Sequence, residues 1–304
     1  MTDYCIRATA ANGHIRAFAA SSRILADKAR AIHNTTPVAT AALGRTITAA
    51  AIMGLMSGND EDLVTISIKG GGPLGGILAT SDGLGRVRGY VHNPAADMPP
   101  KPNGKLDVGG AVGAGHLTII KDLGLKEPYV GKCELISGEI AEDIAAYFFH
   151  SEQVPSVLSL GVLVDTDYSV AAAGGVLLQL LPRTHGRAGV ADQPGHDEGI
   201  IDRLEAIMAD FPPITKLLSC GKTPEDVLDM LLSGFGYEIT EKQPIAWHCP
   251  CGKERVTSAI VSIGKAELAQ IIEEEGKAEV SCHFCNKEYH FDKAELTTLL
   301  AAAE

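Results

Sequence analysis

The chain has 304 residues, 45% of them hydrophobic and only 5% aromatic, with a formal net charge of −12. That much apolar material excludes wholesale disorder and suffices for one large domain or a few small ones, with cores of Ala, Val, Ile and Leu. The charge is −3 over residues 1–182, −5 over 183–240 and −4 over 241–304. No segment carries the cationic excess that a phosphate backbone demands, so nucleic acid is not an expected partner. No apolar run is read as reaching the roughly 18 residues that span a bilayer. Met1 to Arg7 carries Asp3 and no cleavable signal pattern. The expectation is a cytoplasmic protein without a membrane partner.

In chain order, residues 23–31 and 36–57 are Ala-rich with few breakers and predict two helices, Pro37 standing at the start of the second. The alternation in 63–69 (LVTISIK) predicts a half-buried strand, and 76–80, 85–91, 116–121 and 129–135 predict further strands. Ile140, Ile144 and Phe148 recur every four residues and predict a helix over 139–150, with Ser137 as its N-cap and Glu139, Glu142 and Asp143 complementing its dipole. Strands over 157–164 and 169–181 complete an α+β core domain, 1–182.

Composition changes at Pro182. Residues 183–199 hold four Gly and a Pro and predict a loop. Ile200, Ile201, Leu204, Ile207 and Met208 predict an amphipathic helix stopped by Phe211-Pro212-Pro213. Thr223-Pro224-Glu225-Asp226 then supplies an N-cap, a first-turn proline and first-turn acids. Val227, Leu228, Leu231 and Leu232 make its apolar face, and Gly234 and Gly236 end it. These helices define a helical linker, 183–240, whose apolar faces need a surface to cover. In the last domain, 241–304, the pattern predicts a helix over 261–275 with Gly276 as its C-cap, a hairpin over 279–289 and a final helix from Asp292.

Four of the seven cysteines crowd into this last domain: Cys249-Pro250-Cys251, thirty intervening residues, then Cys282-His283-Phe284-Cys285. A hairpin turn delivers two thiolates from Cys-x-x-Cys to one side, and a second short pair completes a tetrahedral zinc site. His248, His283 and His290 lie close by as substitute ligands. The Cys-x-Cys pair is tighter than the usual structural zinc spacing, and its sulfurs can meet with little rearrangement. Each pair can therefore hold zinc when reduced and close into a disulfide when oxidised, although four cysteines allow three pairings. A domain this small rarely draws more than roughly 3–5 kcal/mol from its core, against about 10–16 kcal/mol of apparent zinc binding in small fingers. Loss of the metal should unfold it. Cys5, Cys133 and Cys220 stand alone and are read as small buried hydrophobes.

Other motifs fail on their own terms. Lys69-Gly70-Gly71-Gly72-Pro73-Leu74-Gly75-Gly76 lacks the Lys-Ser/Thr that closes a phosphate loop, and Gly113-Ala114-Gly115 lacks the third glycine of a dinucleotide fingerprint. Both are read as tight turns. There is no Gly-x-Ser-x-Gly elbow and no zinc-deaminase spacing, and four thiolates leave a zinc hydrolase no open position. No enzyme is expected. A structural zinc ribbon on a protein-binding regulator is the rival reading.

The whole chain resembles the 33 kDa chaperonin family of redox-regulated heat-shock holdases. The resemblance is carried by Gly70-Gly71-Gly72-Pro73-Leu74-Gly75, by residues 121–129 (KDLGLKEPY) and 137–143 (SGEIAED), by Gly234-Phe235-Gly236, and most specifically by the cysteine set. It implies an α+β core domain, a helical linker and a small zinc domain, with Cys249, Cys251, Cys282 and Cys285 holding one zinc in an inactive, reduced form. It further implies that oxidation forms Cys249–Cys251 and Cys282–Cys285 disulfides, releases zinc and unfolds the C-terminal region. The exposed surface would then bind unfolding client proteins without ATP, with the active form a homodimer.

Overall fold

A computed structural model describes residues 2–182 and 196–302. The loop expected over 183–199 lies, up to residue 195, outside them. Strands β1 (Tyr4–Ala10) and β2 (Ile15–Ser21) form a hairpin that leads into helices α1 (Arg23–His33) and α2 (Pro37–Ser57). Strands β3 (Leu63–Gly70), β4 (Ile77–Asp82) and β5 (Arg86–Val91) follow. Next come helix α3 (Val108–Val112), strands β6 (Gly115–Asp122) and β7 (Tyr129–Glu134), helix α4 (Ala141–Ser151), and strands β8 (Ser156–Val164) and β9 (Val170–Leu180). Helices α5 (His196–Ala209), α6 (Ile214–Ser219) and α7 (Pro224–Leu232) lead to β10 (Glu238–Pro244) and the two-residue β11 (Ala246–Trp247). The chain ends with α8 (Lys253–Ser262), α9 (Lys265–Glu274), β12 (Lys277–Ser281), β13 (Glu288–Asp292) and α10 (Lys293–Ala302).

Contacts divide these elements into a body, Met1–Trp247, and a C-terminal unit, His248–Glu304. The body holds a five-stranded sheet, β10-β1-β2-β9-β8, and a six-stranded sheet, β11-β5-β4-β3-β6-β7. Helix α2 packs against both. Thr36 caps it, its Oγ1 accepting from the Ala39 N–H, and Pro37 fills the first turn, where a missing N–H costs nothing. By length and composition α2 would suffice to cross a membrane, contrary to the sequence expectation, but it is buried almost throughout the body. Its threonines cause no polar penalty there, because Thr46 and Thr48 donate back to the Ala42 and Gly44 carbonyls at 2.8 and 2.7 Å. Gly44 and Gly54 permit close packing: a Cβ would come within 2.7 Å of Val162 Cγ2 and 2.5 Å of the Asp82 carbonyl oxygen.

Helices α5, α6 and α7 cover the other face of the five-stranded sheet. Ile6, Ala8, Ile15, Ala17, Val176 and Leu178 meet Ile214, Leu217, Val227, Leu228, Leu231 and Leu232 in a second core. Helix α7 starts with the reciprocal Thr223–Asp226 cap that its sequence implies. It is pinned further by Tyr4 Oη donating to Glu225 at 2.6 Å and by Lys242 pairing with Glu225 at 2.8 Å. Residues 238–247 depart from the expected division. Strand β10 pairs antiparallel with β1, and β11 pairs in parallel with β5, so the chain rejoins the body after the helices. The physical reason is edge pairing, which backbone groups supply without an apolar pattern in the sequence.

Two further local expectations are corrected. Ser137 does not cap α4. Instead the buried Asp143 carboxylate accepts the N–H groups of Ile136, Ser137 and Gly138 on Oδ1 and of Ile140 on Oδ2. The helix expected over 261–275 is two helices, α8 and α9, broken at Gly264 with φ +101°. Strands β1, β2 and β10 and helix α6 carried no strong sequence signal. The two glycine motifs are turns packed on each other: the N–H groups of Gly71, Gly72 and Leu74 donate to the Ala114, Val112 and Ala111 carbonyls. Those amides are therefore spent within the fold.

Asp3 ties three segments together. Its carboxylate accepts the Leu25 N–H at 2.6 Å at the start of α1, and its carbonyl accepts the Ile245 N–H at 3.1 Å. Burial raises its carboxyl to about 6, against the lowering effect of the α1 amides and Arg23. With the folded value above the unfolded one, its contribution is greatest below about pH 4 and declines as pH rises through 6. The difference in unfolding free energy between the wild type and Asp3→Asn should therefore drift by up to about 3 kcal/mol between pH 4 and 7. Urea melts across that range check it, and a pH-independent difference contradicts the reading.

Candidate metal centre

Among its described residues the C-terminal unit buries five side chains: Ile260, Leu268, Tyr289, Phe291 and Leu296. Its hairpin pairs Lys277–Ser281 with Glu288–Asp292, Val280 opposite Tyr289. The turn between the strands closes on itself. Cys282 N–H donates to the Lys287 carbonyl at 3.0 Å, and the Cys285 and Asn286 N–H groups donate to the Cys282 carbonyl at 3.2 and 2.8 Å. Asn286 takes the left-handed conformation, φ +55°, that Asn tolerates better than most residues. This knuckle brings Cys282 and Cys285 to one side. Cys249-Pro250-Cys251 precedes Gly252, the N-cap of α8, so Cys251 stands just ahead of a helix N-terminus that favours anionic sulfur.

All four sulfurs lie within 4.8 Å of one another. Cys249 Sγ is 3.7 Å from Cys282 Sγ, and Cys251 Sγ is 3.2 Å from Cys285 Sγ. A tetrahedron of thiolates about 2.3 Å from a zinc-sized ion has edges of about 3.8 Å, so the donor set suits a closed metal site. No histidine joins the cluster among the described residues, which leaves His248, His283 and His290 outside it. These two sulfur contacts run across the two motifs, and the common 4.8 Å limit keeps all four sulfurs close enough that their positions alone do not select one pairing.

The electrostatics favour anionic sulfur at one position. Burial raises the Cys251 thiol, but the Tyr289 hydroxyl and the three neighbouring thiols outweigh it and bring it down to about 7. Burial and the same neighbours push Cys285 up to about 12. Within the cluster, Cys251 is thus the sulfur most inclined to ionise relative to Cys249 and Cys285. The buried Tyr289 hydroxyl finds no partner outside the cluster, and its interaction with the Cys251 sulfur pushes it up to about 12, so it stays a phenol. A buried donor that faces only the cluster suits a set of thiolates, which accept, better than a set of thiols. Sequence reasoning missed Tyr289; the signal was its alternation with Phe291 on the strand leaving the knuckle.

The other cysteines are dispersed. Cys5 is buried, and desolvation raises its thiol, as expected for a small hydrophobe. Cys133 is half-buried. Cys220 is exposed at the end of α6, contrary to its reading as a buried residue, because that helix turns its apolar side to the sheet through Ile214 and Leu217 instead.

Fold and cluster together define a two-part protein, a mixed helix-and-sheet body followed by a small thiol-rich module with the donors for one metal ion. The family model described as Hsp33 protein matches residues 3–292. The chain is 51% identical over 301 residues to the 33 kDa chaperonin of Clostridioides difficile, covering 99% of each. It is 48% identical over 304 residues to that of Desulforamulus reducens, covering 100% of this chain and 99% of the relative. The crystal structure of the 33 kDa chaperonin (heat shock protein 33 homolog) from Thermotoga maritima matches with a TM-score of 0.88 at 35% identity, covering 99% of both chains. The chain belongs to the Hsp33 family.

Proposed function

We propose that this protein is a redox-regulated, ATP-independent holdase of the cytoplasm and not an enzyme. In the reduced form Cys249, Cys251, Cys282 and Cys285 hold one zinc, and the chaperone is inactive. Zinc would supply a closed, redox-inert cross-link that holds the module folded. Oxidation joins Cys249 to Cys251 and Cys282 to Cys285. Each bond gives two electrons to the oxidant, hypochlorous acid leaving as chloride and water. The ligands are consumed, the metal departs, and the C-terminal region unfolds together with the linker helices. The uncovered apolar surface then holds unfolding clients, and the active form is a homodimer.

The observation that carries this reading is the four-thiol cluster inside a module with only five buried side chains among its described residues. A unit of that size depends on its cross-link, so a change in thiol chemistry becomes a change in folding. Membership of a family whose curated relatives are named chaperonins supports client binding. The apolar faces shared by the five-stranded sheet and α5–α7 offer a surface that undocking would expose.

The test is an oxidant titration of the reduced, zinc-loaded chain. Hypochlorous acid, or peroxide with mild heat, should release about one zinc per chain, and suppression of client aggregation should rise over the same range. Zinc retained throughout, or equal suppression before and after, would refute the switch. Peptide mapping that joins Cys249 to Cys285 would refute the local pairing alone.

A further inference from the structure

The strands of the six-stranded sheet turn Val64, Ile66 and Ile68 of β3 and Leu117 and Ile119 of β6 into the core. Their alternate residues therefore stand on the opposite face. The cross-strand register aligns them in rows: Lys69 faces His116, while Leu78, Ser67, Thr118 and Lys132 run across β4, β3, β6 and β7. Ser67, Lys69, Leu78, His116, Thr118, Ile120 and Lys132 line a cleft of about 290 Å³ on that face. Lys69, His116 and Lys132 are exposed, and none of them has an ion-pair partner among the described residues. Glu134 stands opposite His116 on the edge strand but does not line the cleft.

In a chain of net charge −12, two lysines and a histidine converge on one small cleft with two hydroxyls between them. We infer that this cleft is a binding site for a small phosphate-class oxyanion. The chemistry is specific to that class in three ways. Ammonium groups supply charge-assisted donors, the Ser67 and Thr118 hydroxyls add neutral donors, and no carboxylate lines the wall to repel an anion. The volume lies at the low end for ligand pockets, which suits a small anion rather than a nucleotide. Lys69 is also the first residue of the glycine motif whose backbone amides are spent on Ala111, Val112 and Ala114. The anion would therefore be held by side chains on the sheet face and not by a backbone loop. This inference is independent of the holdase reading.

Inorganic phosphate titrated into the reduced, zinc-loaded full chain, followed by amide NMR, tests it. Shifts should be confined to the cleft residues and saturate at about millimolar phosphate, with sodium chloride at matched ionic strength giving none of them. Lys69→Gln and Lys132→Gln, both exposed substitutions, should each weaken binding at least about threefold with the melting temperature unchanged. Identical shifts with chloride, or unaltered phosphate affinity in both variants, would overturn the site. Aggregation suppression does not enter this measurement, so its failure and that of the holdase reading are separable.

Discussion

Cys251→Ser combined with Cys285→Ser should give a chain that binds no zinc, keeps its body folded and suppresses client aggregation without any oxidant. The two substitutions remove a sulfur pair 3.2 Å apart, one cysteine from each motif, and leave two of four ligands. A structural zinc contributes about 10–16 kcal/mol of apparent binding energy, which exceeds what a core of this size supplies. Five buried side chains cannot hold Lys253–Ala302 alone. Hydrogen exchange should show protection lost over α8, α9, α10 and the β12–β13 hairpin while α2 and the central strands keep theirs. Full protection of the C-terminal unit in the metal-free variant would sink the idea that the metal holds it folded.

The second large effect is expected at Leu231. Its side chain is fully buried where α7 lies on β1 and β2. Leu231→Asp places an unpaired carboxylate there, a change of the kind that costs more than about 4 kcal/mol. The body's main core, built around α2, does not include this side chain. The helix should therefore leave the sheet before the body unfolds. Binding of a hydrophobic dye should rise, and part of the holdase activity should appear with the zinc still in place. Trp247, the single tryptophan, is half-buried against the main core and reports whether β11 stays paired. Unchanged dye binding, or a tryptophan signal that shifts with it, would contradict a selective undocking.

The pairing of sulfurs bears on the same energetics. Disulfides joining the two motifs would close loops with separations of 33 and 34 residues. Closing a loop of that size removes about 4 kcal/mol of chain entropy from the unfolded state, which favours the folded module. Bonds within Cys249-Pro250-Cys251 and within Cys282–Cys285 constrain only a few residues and leave the chain between the motifs free to unfold. The proposed local pairing would therefore let oxidation loosen the unit more readily than these cross-motif bonds would.

The cluster was legible because short-range covalent spacing fixes where thiols can meet, and no tertiary information is needed to see Cys-x-Cys and Cys-x-x-Cys. Helix α2 and strand β3 were legible for a related reason, since their patterns are local. Strands β1 and β10 were not. In β1, Ile6, Ala8 and Ala10 alternate with the half-buried Arg7 and Thr9, but two of the three buried side chains are alanines, which carry little strand preference. In β10 (EITEKQP) most side chains are exposed or half-buried, and its place comes from backbone pairing with β1. The break between α8 and α9 turned on one left-handed glycine, Gly264, inside an otherwise continuous apolar pattern. Tyr289 and Asp143 act through groups far along the chain or through backbone amides, which residue identity alone does not reveal.

Helices α5, α6 and α7 lie between β9 and β10, and both strands belong to the same sheet. The cover over the sheet's outer face is thus a flap tethered at each end to the surface it covers. If oxidation lifts it as proposed, it would stay at an effective concentration on the order of millimolar beside its own docking face. A client would then compete with that nearby occupant for every apolar contact. Under the proposed switch, restoring the thiols would need no separate ejection step: once the C-terminal unit refolded, the flap would regain its advantage and displace the client by occupancy alone.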